Sequence, residues 1–87
     1  MAIFAAEVYA PGSGTSLDEL SQRLRDAAAA MTTDGAAVRY VRSLFLPGDE
    51  TCFHVFEADS TASVSDTTRR AGVLCARIVE AIEGRTP

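Results

Sequence analysis

An α+β fold with the element order βαββαβ is predicted for this 87-residue chain by three features: two segments of helical periodicity, four short β-rich runs, and turn residues that separate them in that order. Residues 2 to 10 alternate, Phe4, Ala6 and Val8 on one side against Ile3, Ala5, Glu7 and Tyr9 on the other, until Pro11-Gly12-Ser13-Gly14 stops the first strand. Ser16 and Glu19 have the spacing of a capping box, in which hydroxyl and carboxylate each satisfy a backbone donor at a helix start. Leu17, Leu20, Leu24, Ala27, Ala28 and Met31 then recur at three- and four-residue steps, so a helix is predicted from about 17 to 32, with Gly35 as terminator. Ala37 to Leu46 and Thr51 to Ala58 are rich in β-branched and aromatic residues, and Pro47-Gly48-Asp49-Glu50 between them reads as the turn of a hairpin. Asp59 or Ser60 can cap a second, polar helix over Thr61 to Ala71 that ends at Gly72, although its Ser and Thr content makes it a poor intrinsic helix former. Arg77 to Glu83 alternates as a last strand. The expected organisation is one domain over residues 1 to 84 and a short tail over 85 to 87.

Right-handed crossovers on the two βα units would place both helices on one face of a four-stranded antiparallel sheet, which is the ferredoxin-like arrangement. A domain of this size buries only about 60 to 65% of its unfolded surface, so its core alone is modest. Twelve acidic against eight basic residues give a net charge of −4, and the basic residues, all Arg, are scattered. No stripe exists to neutralise a run of phosphates, which argues against a nucleic-acid partner. The apolar start from Met1 to Ala10 is short, contains Glu7 and has no basic leader, which argues against a signal peptide or membrane span and for a cytoplasmic protein. Two cysteines in such a chain are expected as free thiols rather than a disulfide.

Choosing strand phases by packing puts Phe4, Ala6, Val8, Val41, Phe45, Phe53, Val55, Val79 and Ala81 under the helices. The other face receives Ile3, Glu7, Tyr9, Tyr40, Arg42, Leu44, Cys52, His54, Phe56, Ile78, Glu80 and Ile82. That mixture of large apolar and ionisable groups suits a face-to-face dimer with a cavity between two sheets, a dimeric α/β-barrel-like assembly. Cys52 and His54 stand two apart on one strand, so their side chains share a face with Cα atoms about 6.5 to 7 Å apart, within reach of one metal ion. Thiolate and imidazole suit Ni²⁺, Zn²⁺ or Cu²⁺, and Glu7 and Tyr9 on the first strand, or Glu80, could add oxygen ligands. The structural alternative makes Cys52 a small apolar filler and His54 a hydrogen-bonded interface residue. Glu7 and Glu80 could equally pair with Arg42, while Tyr9 and Tyr40 read as interface aromatics and Cys75 as core.

The run Val38-Arg39-Tyr40-Val41-Arg42-Ser43-Leu44-Phe45-Leu46-Pro47-Gly48-Asp49-Glu50-Thr51-Cys52-Phe53-His54-Val55-Phe56-Glu57-Ala58, with Arg70-Ala71-Gly72, Arg77-Ile78-Val79-Glu80 and Glu7-Val8-Tyr9, resembles the small actinobacterial nickel-binding family of the DUF4242 type. The resemblance implies a homodimeric ferredoxin-like protein binding nickel at the subunit interface, with Cys52 and His54 where the family's soft ligands are expected. Where relatives carry a Leu-Pro-Phe-Asp-like stretch, this chain has Val73-Leu74-Cys75-Ala76. The rival reading is a small dimeric enzyme, an isomerase, cyclase or cofactor-free oxygenase, acting on an apolar compound in the sheet-face cavity. In it His54 is general base, Glu7 or Glu80 its orienter and Arg42 the stabiliser of developing negative charge. Both readings rest on strand three turning its thiol and imidazole toward the face the helices leave uncovered.

Overall fold

The computed structural model describes residues 1–11 and 17–84. The chain runs β1 (Ala2–Tyr9), α1 (Leu17–Thr33), β2 (Val38–Leu46), a 3-10 turn (Pro47–Asp49), β3 (Thr51–Ala58), α2 (Thr61–Ala71) and β4 (Arg77–Ala81), each within two residues of its predicted bounds. The Gly12-Ser13-Gly14 stop, the Ser16 half of the capping box and the 85–87 tail lie outside the described residues. The four strands pair antiparallel in the order β2-β3-β1-β4, giving the ferredoxin-like sheet. With principal extents of 37 × 36 × 18 Å, the molecule is one helical layer thick over one sheet.

Ser60 caps α2 by accepting a hydrogen bond from the Ser63 backbone N–H at 3.2 Å. Its unfavourable hydroxyl content is put to use in packing: Thr67 and Thr68 are buried against the sheet, and their hydroxyls donate to the backbone carbonyls of Ser63 and Ser65. At the other end Gly72 takes the left-handed conformation with φ 72°. Arg23 of α1 reaches across to donate to the Ala71 carbonyl from Nε at 3.1 Å, which ties the two helices together where α2 runs out of internal donors. A Cβ at Gly72 would stand 2.8 Å from the Arg23 guanidinium. Gly72→Ala should therefore cost about 1 to 2 kcal/mol, from left-handed strain plus the lost Arg23 contacts, read as a lower urea midpoint at unchanged slope.

Beneath the helices lie Phe4, Ala6 and Val8 of β1, Val38 and Tyr40 of β2, and Cys52, His54, Phe56 and Ala58 of β3, all buried. The β1 phase is as the sequence predicts. The β3 phase is the reverse: Phe53 and Val55 face away from the helices, while Cys52, His54 and Phe56 point into the core opposite Val8, Ala6 and Phe4. Both halves of β3 are apolar enough to be core, so alternation alone does not choose between them. The physical discriminator is Glu57, which shares a face with Phe53 and Val55 and could not lie unpaired beneath a helix, whereas Ala58 continues the Cys52 set.

β4 is also reversed, Ile78 and Glu80 standing opposite Ala6 and Phe4, and Val79 and Ala81 on the far face. In β2 a bulge at Val41 shifts the register, so Tyr40 pairs with Phe56 while Arg42 pairs with Val55. Tyr40 therefore points inward and Arg42 and Leu44 outward, although two-residue spacing would put all three on one face. The uncovered face carries Ile3, Ala5, Leu44, Phe53, Val55 and Val79 at its centre, with Glu7 beside Arg77 and Arg39 bonded to Glu57 toward its edges.

Candidate functional site

His54 is fully buried, and hydroxyl and aromatic groups surround it in the core. The Tyr40 hydroxyl lies 2.9 Å from Nδ1, the rings tilted at 46° with centroids 5.9 Å apart. Tyr40 stands edge-on to Phe56 at 5.2 Å, and the Arg25 guanidinium of α1 lies 5.0 Å from the Tyr40 ring centroid. The Tyr40 hydroxyl also donates to Ser21 Oγ of α1 at 3.1 Å, so strand and helix meet through this phenol. Among the described residues, His54 Nε2 is the buried side-chain nitrogen or oxygen left without a partner. Burial pulls the His54 pKa down to about 4, so the ring is neutral at physiological pH.

Cys52, two residues along β3 and on the same side, is also fully buried. Burial pushes its thiol pKa up, opposed by a hydrogen bond with the backbone of Leu44. The thiol is protonated at rest, and its loss of a proton would have to be driven by something that binds the thiolate.

The remaining expected site residues lie elsewhere. Glu7 is on the uncovered face with its carboxylate 3.6 Å from Arg77, so its partner is Arg77 rather than Arg42. Tyr9 ends the same strand, 64% exposed. Arg42 is exposed on that face, whereas Glu80 stands on the helix side opposite Phe4 at the sheet edge. The sheet thus divides the expected metal set, Cys52 and His54 beneath the helices and Glu7 and Tyr9 above the opposite face. The expected catalytic set of His54, Glu7, Arg42 and Glu80 is not brought together either. Cys75 packs against the core from the segment before β4, where Thr68 hydrogen-bonds its thiol.

Two residues acquire importance that the sequence did not assign them. Tyr40 and His54 were expected to share a face, and they do, but as partners within the core; Ser21 reads in the sequence as one polar residue of an amphipathic helix. An orphaned, neutral imidazole nitrogen and a thiol on the same side of β3 suit a borderline-soft metal in kind. In number the set is incomplete, because among the described residues no three His, Cys, Asp or Glu side chains gather as a metal-holding group. Nor does any helix among the described residues have the length and apolarity to cross a membrane.

Fold and core together define a ferredoxin-like α+β protein with one bare sheet face and with the imidazole of His54 and the thiol of Cys52 both buried beneath its helices. The chain belongs to the SCO4226-like family: the profile described as "Nickel responsive protein SCO4226-like" matches residues 9–81. The crystal structure of SCO4226 from Streptomyces coelicolor A3(2) is similar to it in fold, with a TM-score of 0.73 at 21% identity, covering 97% of this chain and 100% of that one. No curated protein matches.

Proposed function

We propose that this protein binds Ni²⁺ as a homodimer, and that metal and partner occupy opposite sides of the sheet. The observation that carries the metal half is the buried His54 Nε2, unpartnered, with Cys52 two residues along β3 on the same side of the sheet. Membership of a family described as nickel responsive supports nickel as the ion. An interface cavity holding Cys52, His54, Glu7 and Tyr9 around one ion has lost its basis, because the sheet separates the two pairs. The small-enzyme reading combines residues from both sides of the sheet, His54 and Glu80 on one and Glu7 and Arg42 on the other.

The partner half is supported by the bare face, where an apolar centre between charged edges has the character of a subunit interface. Burying it supplies stability that a core of this size lacks.

In this reading nickel would be held by the thiolate of Cys52 and the imidazole of His54, with further ligands supplied by solvent or by rearrangement of the helical layer. Since both donors are buried, uptake requires that layer to open, and binding should be slower than diffusion. His54 gives up no proton on binding because it is already neutral, whereas Cys52 gives up one. Affinity should consequently rise roughly tenfold per pH unit while the thiol remains protonated in the free protein.

Calorimetric titration of untagged protein with Ni²⁺ tests the reading. Saturable binding with about one proton released per ion is expected, lost in a Cys52→Ala, His54→Ala variant that retains its far-ultraviolet circular dichroism. Unchanged binding in that variant would dispose of the ligand assignment. Light scattering tests the dimer: a dimer is expected at micromolar concentration, and Leu44→Glu with Phe53→Glu should yield a folded monomer. A wild-type monomer under the same conditions would defeat that half.

A further inference from the structure

Three hydroxyl groups connect the buried imidazole to the surface, and their order fixes where its proton sits. Tyr40 Oη has one proton and donates it to Ser21 Oγ at 3.1 Å. Ser21 Oγ in turn points to Ser43 Oγ, a long contact at 3.5 Å on the exposed part of β2. With its proton committed to Ser21, the Tyr40 oxygen can only accept at the 2.9 Å contact to His54, so Nδ1 must be the donor. The reverse order would leave Nε2–H as a buried donor without an acceptor, a situation folded proteins rarely tolerate.

We propose that Tyr40 and Ser21 are positioning residues that hold His54 in the tautomer protonated on Nδ1, presenting Nε2 as a bare, inward-facing ligand nitrogen. Anchoring of the distal nitrogen is what a metal-ligating histidine needs, since it sets the ring's orientation and raises the basicity of the ligating atom. The role in ligation rests on the nickel reading; the tautomer assignment does not. Ser21 acts on the imidazole through the phenol proton that it accepts.

The chain has a single histidine, so nitrogen-15 labelling of histidine gives one pair of ring signals and an unambiguous test. Metal-free wild-type protein should show Nδ1 protonated and Nε2 unprotonated. Ser21→Ala removes the acceptor of the phenol proton, so Tyr40 is no longer obliged to accept from Nδ1, and the wild-type preference should weaken without loss of helix content. Tyr40→Phe keeps the edge-on packing against Phe56 and should abolish the wild-type preference. Both variants should weaken binding of Ni²⁺ roughly ten- to a hundredfold. A wild-type signal for Nε2–H, or a Ser21→Ala spectrum identical to wild type, overturns the relay whatever nickel does. The expected tautomers together with no nickel binding by the wild type would instead overturn the nickel reading and uphold the relay.

Discussion

Acidifying the metal-free protein from pH 6.5 to pH 4 should remove on the order of 3 kcal/mol of stability through His54 alone. The unfolded chain protonates its imidazole near pH 6.5, whereas burial holds the folded value down to about 4. Between those two values the unfolded state binds the extra proton, so stability rises with pH across this window and is complete above it. Below pH 4 both states are protonated and this contribution stays lost. Urea midpoints measured at half-unit pH steps check the prediction, with His54→Phe as the control: its curve should lose the slope in this window and keep only the carboxylate contribution at lower pH. A wild-type profile flat between pH 6.5 and 4 would mean that the imidazole has access to water.

Phe56→Ala should cost about 3 to 5 kcal/mol, close to the whole stability of a domain this small. Phe56 is fully buried, pairs across the sheet with Phe4 on one side and Tyr40 on the other, and packs edge-on to the Tyr40 ring. Phe53, three residues earlier, is half-buried on the uncovered face, so Phe53→Ala should leave monomer stability almost unchanged and weaken the proposed subunit association instead. The pair of variants measures the strand phase directly. Equal effects on unfolding, or the larger effect at Phe53, would contradict the burial of the Cys52, His54 and Phe56 set. Unfolding followed at two protein concentrations separates the two contributions, because only the association term depends on concentration.

Which elements exist was legible along the chain because each carries its own local signal. The three- and four-residue spacing of Leu17, Leu20 and Leu24 marks α1, Pro47-Gly48 marks the hairpin turn, and Ser60 with Gly72 brackets α2. Which face of each strand is buried was legible only for β1, where Glu7 and Tyr9 oppose the small apolar residues Ala6 and Val8. In β3 two apolar sets compete, and weighing them by bulk favours Phe53 and Val55 over Cys52 and His54. The single charge at Glu57 outweighs that bulk, because an unpaired carboxylate beneath a helix costs more than a half-exposed phenylalanine. In β2 the bulge at Val41 breaks the two-residue rule itself, and nothing in the residues Tyr40-Val41-Arg42 announces it.

The candidate site divides in the same way. That Cys52, His54 and Tyr40 share a face was readable from spacing and holds, since an unbroken strand preserves relative direction and the bulge falls after Tyr40. Element order, the hairpin, the helix bounds and the residue types able to hold a soft metal are properties of short stretches of chain, and the amino-acid sequence determined them unaided. Whether the imidazole looks toward a partner or into its own core depends on pairing between residues far apart, Ala6 with His54 and Tyr40 with Phe56, and only the tertiary structure decided it. The physical reason is that a strand has two faces of nearly equal local preference, and the helices select between them by the total burial they can gain.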